Sequence, residues 1–247
     1  MTKLPIFFSP GAAPGLPRRT FLRYTGAASV GVALLLAGCK DDDDDPVNPA
    51  PASSNGQAVG LGSGDTQLIN LLQAGKQISA ELLRRLIATP PAGLGGADLA
   101  LVRAIGEQQT VHRDVLKAAA NAARTVAGTP LLNLPELTLD FSTVVLTDSA
   151  SALTAALTLL NTLIAGAAGA LRHTSRSTML TLLGQILSVD ARHAATLAAL
   201  LPGGALNDPQ ETPGPDARNR ALRPSETATA LNNYLASGSR IITASLA

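Results

Sequence analysis

Residues 97–127 read ADLALVRAIGEQQTVHRDVLKAAANAARTVA, a run with no proline and a single internal glycine. Leu101, Ile105, Val115, Leu116, Ala119, Ala123 and Val126, with His112 among them, recur at helical spacings and share one side of a helical wheel. Gly128 follows at the place where a glycine closes a helix. Upstream, Leu68, Leu71, Leu72, Ile78, Leu82, Leu83 and Leu86 carry the same period from Asp65, a candidate N-cap, to about Ala88, where Thr89-Pro90-Pro91 stops it. Downstream, the spacing predicts a third helix over Ser149–Leu171 and a fourth over Ser175–Leu201, the latter ended by Pro202-Gly203-Gly204. Four long amphipathic segments make an all-α bundle.

The links between helices one and two and between three and four are short, so each pair is expected to be an antiparallel hairpin. The stretch from Thr129 to about Thr147 contains Pro130, Pro135 and the alternating Leu137-Thr138-Leu139-Asp140-Phe141, and it reads as extended. A link of roughly 20 residues can cross the length of the bundle, which is the topology of ferritin-like four-helix bundles with a long crossover between helices two and three. Composition agrees. The chain has 247 residues, 46% of them hydrophobic, but no Trp, two Tyr and four Phe, a mixture that packs as helices more easily than as sheets. One cysteine excludes an internal disulfide framework and a Cys-rich metal site, and 19 basic against 18 acidic side chains give no electrostatic case for nucleic acid.

Four regions follow from this reading: a leader over 1–38, an acidic and Gly/Pro/Ser tether over 39–64, the bundle over 65–201, and a tail over 202–247. In the leader, Arg18-Arg19-Thr20-Phe21-Leu22-Arg23 precede an apolar stretch of about 15 residues, of the size of a cleaved export signal and short for a spanning helix. The paired arginines resemble a twin-arginine signal. Leu36-Ala37-Gly38-Cys39 resembles a lipoprotein processing box, which implies lipid on Cys39, the chain's single cysteine. Cleavage before Cys39 would leave 15 basic and 18 acidic residues. Lys40 and the block Asp41 to Asp45 come next, a run of like charges that stays solvated. Placed after a lipidated cysteine, it looks like the surface-export signal of Bacteroidetes lipoproteins; a spacer without sorting information is the other reading. The implied location is the outer membrane, on its periplasmic or surface face. In the tail, 205–219 reads as a linker, followed by a short helix around Ser225–Ala236 that either packs on the bundle or frays.

Chemistry is sought on the inward stripes. Gln109-Thr110-Val111-His112 on helix two and Asp190-Ala191-Arg192-His193 on helix four each put a polar side chain three residues before a histidine, on one face. An acid and an imidazole at that spacing can grip one metal pair from each hairpin. Helix two, however, offers the neutral amide Gln109, and Glu107 lies off the stripe. His173, in the turn between helices three and four, and the arginines Arg84, Arg85, Arg172, Arg176 and Arg192 read as solvated. Neither a Gly-x-Ser-x-Gly elbow nor a dinucleotide fingerprint occurs; Gly60-Leu61-Gly62-Ser63-Gly64 follows no strand. Gly75 and Gly166 inside helices one and three, together with the run Ala165–Ala170, point to close packing.

The order of these features, namely the leader, the Asn70-containing start of helix one, Asp140-Phe141 before helix three and the two histidine-bearing helices, resembles the bacterial ferritin-like domain family that carries twin-arginine leaders. The resemblance implies iron ligands on all four helices. In this sequence those positions fall at Lys76, at Gln109 and His112, near Leu160 or Asn161, and at Asp190 and His193, so three of four carboxylates are missing. What it implies is a degenerate metal site, with His112, Asp190 and His193 as residual candidate ligands.

Lys76 is the sharpest departure. An ammonium cannot ligate, but it can substitute its own charge for that of an ion. It either pairs with Asp190 inside the core, with Gln109 and the imidazoles completing a polar network, or snorkels outward from a rotated helix. The expected function is therefore a lipid-anchored envelope protein, not an enzyme and without a cofactor, serving as a structural or interaction module with another envelope protein or with itself. The alternative is a metal-binding or oxidoreductase bundle with iron or zinc at a reduced site, and a third reading is a small apolar ligand in the gap left by the metals.

Overall fold

The computed structural model describes residues 59–127, 134–203 and 220–242, all within the compact unit Asp43–Ala247. The leader, Cys39, the acidic run, Gly128 and the 205–219 linker lie outside the described residues. Four long helices follow in order: α1 (Gly64–Ala88), α2 (Gly96–Ala127), α3 (Ser149–Ala170) and α4 (Ser177–Leu200). A short α5 (Pro224–Leu231) and two single 3-10 turns, Asn232–Tyr234 and Ser237–Ser239, complete the chain. The α1/α2 and α3/α4 hairpins pack through α1 against α3 and α2 against α4, which closes a four-helix bundle.

Periodicity explains the packing. All seven apolar positions quoted for α1 are buried. α3 is apolar enough and long enough to cross a membrane by composition, but Ala152, Leu153, Ala156, Leu159, Leu160 and Leu163 are packed into the core between α1, α4 and α5. Its start is capped by Asp148, whose carboxylate accepts from the Ser151 backbone at 2.8 Å. On α2 the stripe is rotated from the expected one: Leu101 is 46% exposed and Val102 is buried in its place.

Asp65 does not cap its own helix. The N-cap of α1 is Ser63, without a side-chain bond, whereas Asp65 reaches across to the start of the fourth helix and accepts from the Ser175 backbone (3.0 Å), the Ser175 hydroxyl (3.1 Å) and the Arg176 backbone (3.2 Å). Donors left unpaired at the N-terminus of α4 are thus satisfied by a residue 110 positions earlier in the chain. The packed structure also begins before Asp65. Val59 and Leu61, which composition assigned to the tether, are buried, and Val59 exchanges backbone hydrogen bonds with Arg240 and Ile242.

The described part of the crossover, 134–148, is extended without forming a strand ladder; its pairings are isolated bridges, Leu139 with Leu235 and Ala92 with Asp148. Asp140 folds into a turn by accepting from Ser142 (2.9 Å), which sets Phe141 beneath the Arg85 guanidinium at 4.8 Å. The tail packs rather than frays. Ala228 and Leu231 are fully buried, and the segment from Leu222 to Ile241 straps α1, α3, the crossover and the chain start together.

Glycines make room for this strap. A Cβ on Gly169 would meet the Leu222 carbonyl oxygen at 1.8 Å, a backbone atom that also belongs to a segment tied to Ala165 through Leu222 N–H (2.9 Å). A Cβ on Gly75 would meet Leu163 at 2.1 Å, where α1 and α3 touch. Gly169→Ala is therefore expected to destabilise the protein by about 1–3 kcal/mol, although alanine favours helices, because the obstacle cannot rotate away. Thermal unfolding together with amide exchange over 222–242 checks this; unchanged melting and unchanged protection would contradict it.

Candidate functional site

The polar centre of the bundle is assembled from one-turn spacings on three helices. α1 contributes Lys76 and Ser79, α2 contributes Gln109 and His112, and α4 contributes Asp190 and His193. Lys76, Gln109 and Asp190 are at most 2% exposed. Lys76 points inward. Its ammonium donates to Asp190 Oδ2 at 2.5 Å and to Gln109 Oε1 at 2.8 Å.

Gln109 spends its whole hydrogen-bonding capacity here. Its oxygen accepts from Lys76 and from the Ser79 hydroxyl (3.0 Å), while its amide nitrogen donates to Asp190 Oδ1 (2.8 Å) and to His193 Nδ1 (3.1 Å). That last bond fixes the chemistry of His193. An Nδ1 that accepts leaves the proton on Nε2, which donates to Gln108 Oε1 at 2.8 Å. Asp190 Oδ1 accepts a further bond from His112 Nδ1 at 3.2 Å, and the two imidazoles lie with centroids 6.2 Å apart.

The electrostatics follow from this geometry. Burial pushes the Asp190 carboxyl up, but the Lys76 charge and the bonds from His112 and Lys76 together outweigh it and hold the group at about 2. Burial lowers Lys76, against the pull of Asp190. Two full charges that each would be costly alone sit in contact, and every oxygen of the carboxylate is used. Burial also lowers His193 to about 4, despite the opposing attraction of Asp190, which agrees with the neutral tautomer demanded by its hydrogen bonds.

Of the positions singled out in the sequence, Lys76, Gln109, His112, Asp190 and His193 come together. Leu160 is buried in the apolar core, Asn161 is half-buried, and Glu107 and His173 are exposed. Arg84 and Arg85 are surface groups, both bound to Glu81. Ser79 and Gln108 were not singled out; Ser79 lies one turn after Lys76, a spacing that could have flagged it, whereas Gln108 is exposed and gives no signal.

A di-iron centre asks for bridging carboxylates from several helices. The donors here do not fit it. Asp190 is the one carboxylate in the cluster, it is engaged by three donors, and an ammonium occupies the space beside it. No group of three or more His, Cys, Asp or Glu among the described residues could hold a metal ion. The family model described as "Ferritin-like domain" matches residues 63–202, more than half of the chain and all four long helices. No curated protein matches it.

The lowered His193 sets a pH dependence. In the unfolded chain a histidine binds its proton near pH 6.5, and here it binds near 4, so between these values the unfolded state carries the extra proton. Stability is expected to fall by about 2 kcal/mol as pH drops from 6.5 to 4. A further loss is expected from 3.8 towards 2 as Asp190 protonates. Denaturant melts across this range check both steps: His193→Gln should flatten the first, and an unchanged slope in that variant would contradict the assignment.

Proposed function

We propose that this chain, which belongs to the ferritin-like domain family, is a lipid-anchored envelope protein whose bundle has exchanged di-iron chemistry for an internal ion pair and works as a structural or protein-interaction module. The observation that carries the reading is the Lys76 ammonium in contact with Asp190 and Gln109 at the centre of the bundle. A bound metal pair brings positive charge that several carboxylates balance; here one ammonium and one carboxylate balance each other, and a neutral amide replaces a bridging acid. Such a network keeps the helices in register without a cofactor.

Export and anchoring rest on the leader residues Arg18-Arg19 and on Leu36-Ala37-Gly38-Cys39. The acidic run after Cys39 supports placement on the outer membrane, and the partner is then another envelope protein or a second copy. The competing reading, iron or zinc at a reduced site of His112, Asp190 and His193, draws on the 3.2 Å and 3.9 Å distances from Asp190 Oδ1 to the Nδ1 atoms of the two imidazoles.

Metal analysis by plasma mass spectrometry on the detergent-extracted protein, loaded with Fe(II) or Zn(II) and then buffer-exchanged, separates them. Less than about a tenth of an equivalent is expected, because both Asp190 oxygens and both His193 ring nitrogens are already engaged and an ammonium lies beside the carboxylate. About one equivalent that disappears in His193→Ala, or about two of iron, would overturn it. For the anchor, Cys39→Ser is expected to move the protein from the membrane to the soluble fraction and to abolish labelling by a radioactive fatty acid; a variant that stays membrane-bound and labelled would contradict it.

A further inference from the structure

Away from the Lys76 network, residues of α1, α2 and the crossover segment 134–139 line a cavity of about 680 Å3, within the size range of small-molecule sites. Two glutamines of α1, one turn apart, face this side. Gln77 is spent on holding the crossover: its amide nitrogen donates to the Pro135 carbonyl (3.3 Å) and its oxygen accepts from Leu137 N–H (3.0 Å). Gln73 is 3% exposed, lines the cavity, and makes no hydrogen bond to another described residue. Its amide atoms open onto the cavity, where a ligand group could hydrogen-bond to them.

The rim carries both signs of charge. Arg84 and Arg85 share Glu81 and Arg113 is held by Asp114, so these five leave one positive charge, with the Arg85 guanidinium stacked on Phe141. Lys117 and Glu136 also line the cavity, are exposed, and form no ion pair among the described residues. A purely anionic ligand would face Glu136, a purely cationic one would face Lys117, and an apolar one would leave the Gln73 amide unpartnered.

We propose that this cavity binds a small zwitterion of the amino-acid or short-peptide class, its carboxylate on Lys117, its ammonium on Glu136 and a peptide or side-chain group on the Gln73 amide. The inference is independent of the role given to the Lys76 network.

Calorimetric titration of the full chain in detergent tests it with triglycine as the zwitterion. The comparison probes are N-acetyl-triglycine amide (neutral), succinate (anion) and putrescine (cation). Saturable binding of triglycine is expected with Kd below about 1 mM, with each comparison probe at least roughly tenfold weaker. Lys117→Ala and Gln73→Leu should each weaken triglycine by roughly tenfold or more. Lys117 is a surface residue, so its variant reports even if replacing the buried Gln73 impairs folding. Absence of saturable triglycine binding, equal binding of the blocked peptide or of succinate, or an unchanged Kd in Lys117→Ala would overturn the proposal.

Discussion

The contact between Lys76 and Asp190 is the constraint on which the rest of the centre is built. Both groups are removed from water, so neither charge is tolerable without the other, and their partnership joins α1 to α4 across 114 residues of sequence. Gln109 then becomes necessary from α2: it accepts from the ammonium, donates to the carboxylate, and hands its second N–H to His193. Three helices are thereby fixed at one point. Apolar stripes alone would allow small rotations of each helix, whereas this set of donors and acceptors is satisfied in one register.

The remaining stabilisation is arranged around that centre. Leucines of α1 and α3 fill one end of the core, a second cluster around Ile69, Leu116 and Leu183 fills the other, and the polar network lies between α1, α2 and α4. The tail acts from outside the ring. It enters against Gly169 and Gly75, pairs with the crossover at Thr138 and Asp140, and ends beside Val59, so the chain start, the long link and the chain end are tied to one another through the same strap. A long crossover costs loop-closure entropy; here Leu134, Leu137 and Phe141 are buried in the core, and Gln77, Arg85 and the tail each hold a part of it.

Much of this was legible in the sequence because it follows from periodicity. The four helices, their short and long links and the inward faces carrying Gln109, Asp190 and His193 come from three- and four-residue spacings, whereas the family resemblance singled out Lys76 and left it open between an inward pair with Asp190 and an outward position. Other features were hidden for specific reasons. Asp65 looks like a cap for the helix it precedes, and its real partners, Ser175 and Arg176, are set by tertiary packing. Leu101 and Val102 are adjacent and both apolar, so which one is buried depends on a helix rotation that periodicity does not resolve. Val59 and Leu61 sit among glycines and serines, a composition that conceals the two residues making the contacts. The contrast between Gln73 and Gln77 depends on where the crossover lies, and no local pattern carries that.

Taken together, the site describes a ferritin-like bundle whose centre is closed by protein charges. Lys76 and Asp190 stabilise that fold as a pair. A thermodynamic double-mutant cycle with Lys76→Met and Asp190→Leu, followed by denaturant unfolding at neutral pH, measures this most directly. Each single replacement is expected to cost about 3–5 kcal/mol by stranding a buried charge, and the double variant to recover much of the loss, with a coupling energy of at least about 2 kcal/mol. Single effects that simply add, or that stay below about 1 kcal/mol each, would contradict it.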